Sequence, residues 1–340
     1  MSDFFVYCGF AGDTDPGRFW SAGLYRSRNA EGRWESIGDA LGTEPPHVFA
    51  ILADPRRRGR ITIGTHDGVW RSDDAGEGWR RLSAPKPELA VWSLASHPDD
   101  PDILFAGYEP CAIYRSADDG ETWTRLVVDV TFPAVSANPE IPKRVISIAV
   151  DPGNPRELYA SIEVGGLLQS LDGGESWRNI IDGLYIDEGF VDIHSVVVNP
   201  IHGRQLTIAT RFGVFRSDDG GAHWRSLEAP LMRPVGSYCR VLRYAPNDAN
   251  TLYLAAANDF DGDRGALFIS HDNGASWRKA EAGVALKTPI FGLAVDPNNP
   301  DNVFYSSKIG QLVYSRDRGK TWAVNPLPAG AGHVFSLAAG

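Results

Sequence analysis

Seven copies of one short motif constrain this chain more than any other feature. Six read Ser-x-Asp-x-Gly-x-x-Trp, anchored on Ser72/Asp74/Gly76/Trp79, Ser116/Asp118/Gly120/Trp123, Ser170/Asp172/Gly174/Trp177, Ser217/Asp219/Gly221/Trp224, Ser270/Asp272/Gly274/Trp277 and Ser315/Asp317/Gly319/Trp322. The first in chain order keeps Ser27 and Trp34 but has Asn29 for Asp, and Glu31-Gly32 displaces the glycine. Successive tryptophans lie 45, 44, 54, 47, 53 and 45 residues apart, a period that suits four short strands per unit. Each motif residue fits a tight turn: Asp bonds amides of its own loop, Gly accepts positive φ, and Trp supplies an apolar anchor between units. Because the same residues recur in every unit, these Asp side chains read as structural rather than catalytic.

The remainder of each unit is equally regular. An apolar run such as residues 49–53 ends in Asp54-Pro55, with counterparts ending in His97-Pro98, Asp151-Pro152, Asn199-Pro200, Ala245-Pro246 and Asp296-Pro297. A second run follows (61–65, 206–210), then the strand entering the motif, then a short outer strand after Trp. The chain starts inside a unit, at residues 4–8, and residues 332–339 match an inner strand with nothing after it. This predicts an all-β fold, a seven-bladed β-propeller occupying 1–340 as one domain, closed by the C-terminal strand pairing into the N-terminal blade so that no sheet edge stays open.

Composition agrees. Hydrophobic residues at 43% and aromatics at 11% can fill a large core, and 36 Gly with 23 Pro fit short strands and turns. The net charge of −10 argues against a nucleic-acid binder, and the run Arg56-Arg57-Arg58 reads as a solvated turn. The N-terminus shows no signal-peptide pattern and no run is long enough to span a membrane. Cys8, Cys111 and Cys239 are too scattered for a disulfide framework, so a cytoplasmic location is expected.

The seven motifs, with runs of the type Ala-Val-Asp-Pro-x-Asn-Pro before them, resemble the BNR or Asp-box repeat family across essentially the whole chain. That family includes sialidases, xyloglucan-degrading hydrolases, sorting receptors and a photosystem II assembly factor. The resemblance implies a propeller but disfavours a typical sialidase, because no Phe-Arg-Ile-Pro segment is present. The xyloglucanase-like members place their cleft between two propellers, and one is visible here. What the resemblance leaves is a cytoplasmic member with its own site.

Function should then sit where the repeat breaks its own rule. Eight residues before each turn proline stand His47, Ala90, Arg144, Asp192, Tyr238 and Pro289, with His333 equivalent in the closing strand; six before stand Phe49, Trp92, Ile146, His194, Arg240 and Phe291, with Phe335 closing. Residues two apart on a strand share a side. The ends of the second strands add His66, Glu109, Glu163, Arg211, Ala257 and Lys308, with Gly9 in the first unit. Three constellations follow. His47, His66 and His333 could bind zinc, copper or iron, or one could act as a general base, or all three could be exposed at a channel mouth. Arg144, Arg211 and Arg240, with Lys308, could clamp a carboxylate, sulfate or phosphate, or form salt bridges to Asp192 or Glu163. Glu109 and Glu163 could be an acid–base pair, with Tyr238 as proton donor and Asp192 and His194 as further catalytic candidates.

Long insertions at 13–18, 129–143, 185–188 and 258–263 look like lids or binding loops, the alternating Asp259, Asp261 and Asp263 reading better as a solvated loop than a calcium site. No phosphate loop, nucleophile elbow or zinc-protease helix occurs. The expectation is an enzyme acting on a small carboxylate-bearing molecule by hydrolysis, elimination or other proton transfer, with or without a metal. The alternative is a non-catalytic scaffold or assembly factor with a protein partner.

Overall fold

The computed structural model describes residues 4–12, 22–42, 44–83, 89–132, 142–181 and 191–340. They form seven four-stranded antiparallel sheets, six of them contiguous in sequence. The seventh joins the closing strand His333–Ala339 to Phe5–Ala11, Gly23–Arg28 and Glu35–Ser36. In it Ala11 faces His333 and Val6 faces Ala339, and Phe5 and Gly340 exchange backbone hydrogen bonds of 2.9 and 3.1 Å. The seven-bladed architecture and its closure are as the repeats predict. Among the described residues no helix is long and apolar enough to cross a membrane.

The motif works as a turn lock. The Ser116 hydroxyl donates to Asp118 Oδ1 at 2.8 Å and accepts the Gly120 amide at 2.8 Å, while Asp118 Oδ1 also accepts the Thr122 amide at 2.8 Å. The same pattern recurs around Asp74, Asp172, Asp219, Asp272 and Asp317. Gly120 is required twice over: its φ is +83°, and a Cβ there would lie 2.6 Å from Leu82 Cδ1 of the preceding blade. Trp79 Nε1 donates across blades to Ile37 O at 2.9 Å and Trp277 Nε1 to Leu227 O at 3.1 Å, whereas Trp123, Trp177 and Trp224 donate within their own turns to the Gly120, Gly174 and Gly221 carbonyls.

These carboxylates carry a pH prediction. Hydroxyl and amide donors hold Asp118, Asp172 and Asp272 below the usual carboxylate range, the side-chain hydroxyls of Thr122, Ser176 and Ser276 being the largest causes. A depressed folded-state pKa contributes stability that is fully present above the unfolded value near 3.9 and is lost as pH falls through the folded value. The urea midpoint should therefore fall from about pH 4 downward. Asp118→Asn should lower it at pH 6, and its difference from the parent should narrow by pH 2; an undiminished difference would show that the Asp118 charge is not what matters.

Six inner strands, Val48–Ala53, Ala90–Ser96, Val145–Val150, Ile193–Val198, Tyr238–Tyr244 and Ile290–Val295, join the closing strand around a central channel. All seven share one irregularity. The register to the second strand slips between Val48 and Ala50, Val91 and Ser93, Val145 and Ser147, Ile193 and Ser195, Cys239 and Val241, and Ile290 and Gly292. In the closing strand the slip leaves Phe335 unpaired. A β-bulge releases one residue from the ladder and re-aims its side chain. The released residues are Phe49, Trp92, Ile146, His194, Arg240, Phe291 and Phe335, the set the repeat alignment places six before the turn proline.

Candidate functional site

The bulges deliver an aromatic platform at the upper end of the channel. Phe49 stacks on Trp92 with centroids 4.2 Å apart, Phe335 meets both edge-on at 5.7 and 5.8 Å, and Phe291 lies 6.1 Å from Phe335. Phe260, from the loop 258–263, extends it 5.4 Å from Phe291 and 6.5 Å from Tyr238. Sequence reasoning named the bulge aromatics as repeat positions without assigning them a role, and it missed Phe260.

Beside the platform lies a charged ladder across two adjacent blades. Arg144 bonds Glu109 Oε2 through Nε at 2.7 Å and Glu163 Oε2 through NH1 at 2.8 Å, with its guanidinium 4.5 Å over the Trp92 ring. Burial would lower the Arg144 pKa, but Glu163 and Glu109 outweigh it and raise it. Two expectations are corrected. Arg144 is not a free ligand clamp, and Glu109 and Glu163 are not a free acid–base pair, because one guanidinium fixes both carboxylates. Lys308 is corrected as well: its buried ammonium bonds Asp261 at 2.6 Å and sits 4.0 Å over the Phe260 ring. Asp261 is thereby an ion-pair partner rather than only a solvated acid.

The remaining polar residues converge. Asp192 Oδ2 lies 3.3 Å from His194 Nε2, and His194 Nδ1 lies 2.7 Å from the Cys239 carbonyl oxygen. That carbonyl can only accept, so Nδ1 carries a proton. The His194 ring is 4.8 Å from Tyr238. Asp192 and His194 are 7% and 6% exposed, in contrast to an open channel mouth. Burial raises the Asp192 pKa, yet His194 and Arg240 together hold it below the usual range. Burial pushes Tyr238 up to about 12, against Arg240, so it is a neutral phenol and a donor. Arg240 lies 5.0 Å over Phe291 and 3.9 Å from Glu163 Oε1, too far for a hydrogen bond. Three buried atoms here lack a protein hydrogen-bond partner: Trp92 Nε1, Asp192 Oδ1 and Arg240 NH1. Arg211 is exposed, its amide bonded to the Asp192 carbonyl at 3.1 Å.

The histidine constellation divides. His66 Nδ1 accepts the His47 amide at 3.3 Å, and the two rings lie 5.4 Å apart. Burial, then the neighbouring His66, lowers the His47 pKa. His333 pairs with Ala11 in the closing strand. No group of three or more His, Cys, Asp or Glu able to hold a metal occurs among the described residues. The metal-binding alternative for His47, His66 and His333 is corrected on that ground: a metal requires three donors around one point, and these three do not surround one. Of the expected loops, 13–18, 185–188 and residues 133–141 of 129–143 lie outside the described residues.

No protein-family model matches the chain. It is 24% identical, over 87% of its length, to a probable oligoxyloglucan-reducing end-specific xyloglucanase of Neosartorya fischeri, of which the match covers 42%. It is 22% identical, over 74% of its length, to the photosystem II assembly lipoprotein Ycf48 of a Synechococcus species, of which 79% is covered. Among solved structures, the GH74 enzyme of Niastella koreensis superposes with a TM-score of 0.66 at 21% identity, over 82% of this chain and 45% of that one. A YCF48 bound to D1 peptide superposes with a TM-score of 0.53 at 16% identity, over 82% of each chain. The chain is similar to both groups and shares their fold. It spans less than half the length of the curated xyloglucanases it matches.

Proposed function

We propose that this chain is a hydrolase that binds a saccharide bearing a carboxylate or another anionic group at the mouth of the channel. One observation carries the reading: Trp92 Nε1, Asp192 Oδ1 and Arg240 NH1 are buried without a protein hydrogen-bond partner, and Trp92 belongs to the platform of aromatic rings. Buried polar atoms that the protein leaves unpaired cost about 1–3 kcal/mol each, and a ligand that pairs them recovers that energy. Aromatic faces receive the apolar face of a sugar ring, and Arg240, aided by the exposed Arg211, suits its anionic substituent. Asp192, held ionised, is the proton acceptor for an attacking water, and neutral Tyr238 is the donor to the leaving oxygen. Likeness to xyloglucanases at low identity supports a glycan-hydrolysing chemistry, while the Arg240 side of the site favours an acidic glycan. A cytoplasmic location remains part of the proposal, supported by composition and testable by cell fractionation.

The test is a comparison of uronate-containing and neutral oligosaccharides by calorimetry and by release of reducing ends. Acidic oligosaccharides should bind and be cleaved. Arg240→Met should raise KM at least tenfold with a smaller change in kcat, and Asp192→Asn should lower kcat by about 100-fold or more. Absence of both binding and cleavage across the panel would remove the proposal. A second reading, a peptide-binding scaffold, is favoured by the length match to Ycf48, of which 79% is covered. Stoichiometric capture of a partner peptide that competes at Trp92, without any turnover, would favour it.

A further inference from the structure

Below the mouth, the channel holds a second break in the repeat. The residues three before each turn proline are Leu52, Ala95, Ala149, Val197, Arg243 and Ala294, with Ala338 in the closing strand. Six are apolar and one is an arginine. The channel, about 500 Å³ in volume, is walled mainly by aliphatic side chains from all seven inner strands, and among the described residues no Asp or Glu lines it. Its hydroxyls are committed: Ser93 donates to Val145 O at 2.6 Å, Ser147 to Val196 O at 3.4 Å and Ser336 to Val48 O at 3.3 Å. Arg243 is exposed to the lumen, and its NH1 donates to the Leu242 carbonyl at 2.8 Å. No carboxylate pairs with it among the described residues. Burial alone lowers its pKa, with no charged neighbour contributing. Every other arginine and lysine described above either meets a carboxylate or faces open solvent.

A guanidinium that faces a channel without a counter-charge attracts an anion. The chemistry of the walls selects which. A small, strongly hydrated anion such as sulfate gains nothing from the aliphatic side chains of the walls. A carboxylate with an apolar body satisfies both parts, its head forming paired hydrogen bonds to the planar fork and its body covering aliphatic wall. An apolar cavity of several hundred Å³ with one well-placed polar group is the usual form of a small-molecule site. We propose that the central channel binds a monocarboxylic acid with an aliphatic body, anchored head-on by Arg243. The channel is continuous with the mouth, since Phe49, Trp92 and Phe291 line it too, but its anchor, Arg243, is a different residue from Arg240 and the proposal does not depend on the hydrolase reading.

Calorimetry with sodium octanoate, octan-1-ol and sodium sulfate at pH 7.5 tests it. Octanoate should bind at one equivalent, and octan-1-ol, with the same tail but no charge, should bind at least tenfold more weakly; sulfate should neither bind nor displace octanoate. Arg243→Met should weaken octanoate at least tenfold while melting at the same temperature as the parent or higher. Arg243→Gln, which keeps polarity without charge, should lose octanoate equally and covers the case in which the Met variant fails to fold. Equal binding of octanoate and octan-1-ol, sulfate binding as tight as octanoate, or unchanged octanoate binding by both variants would each overturn the assignment. Loss of octanoate from Arg240→Met but not from Arg243→Met would move the acid to the mouth and overturn it too.

Discussion

Deleting residues 333–340 should abolish cooperative folding, or leave a protein that melts far below the full chain. The closing strand buries Val334, Leu337, Ala338 and Ala339, and Val334 and Leu337 pack in one cluster with Phe10, Phe304 and Leu312 from the first and last units. Each large apolar side chain removed from such a core costs about 2–5 kcal/mol. The deletion also strips the ladder from Phe5–Ala11, leaving one sheet with three strands and an exposed edge. Against a native stability of about 5–15 kcal/mol, these losses are comparable to the whole. Circular dichroism melts and gel filtration of the truncated protein check this. A truncated chain that stays monomeric and melts within a few degrees of the parent would mean that the ring does not need its last strand.

Arg144→Met should destabilise the protein by about 2–3 kcal/mol, below the 3–5 typical of a fully buried pair because these side chains are partly exposed. Side-chain exposure is 27% for Arg144, 21% for Glu109 and 17% for Glu163. The substitution keeps the stem but leaves two carboxylates without their shared partner, and it removes the cation from the Trp92 face. Rescue identifies the cause. Adding Glu109→Gln and Glu163→Gln to Arg144→Met should recover more than half of the loss, since neutral amides no longer repel or require a cation. Urea midpoints of the single and triple variants measure it. If the triple variant is no more stable than the single, the arginine contributes packing rather than charge neutralisation.

The repeat spacing determined the architecture because each unit writes its own local structure. Ser116, Asp118, Gly120 and Trp123 satisfy one another within a few residues, so their pattern is readable without distant contacts. The bulge ring was legible too: the position six before the turn proline is where every blade releases a residue toward the channel. Arg243 is equally legible, as the one charge in an otherwise apolar column three residues before the turn proline. The partners of the charges were not readable. Arg144 lies 35 residues from Glu109 in the chain, Lys308 47 from Asp261, and His194 45 from the Cys239 carbonyl. Which arginine is bound within the protein, which carboxylate is buried, and whether three histidines meet at a point depend on side-chain geometry between blades. A repeat fixes the order and direction of its strands; the distances across a ring of seven sheets arise only when the last strand closes it.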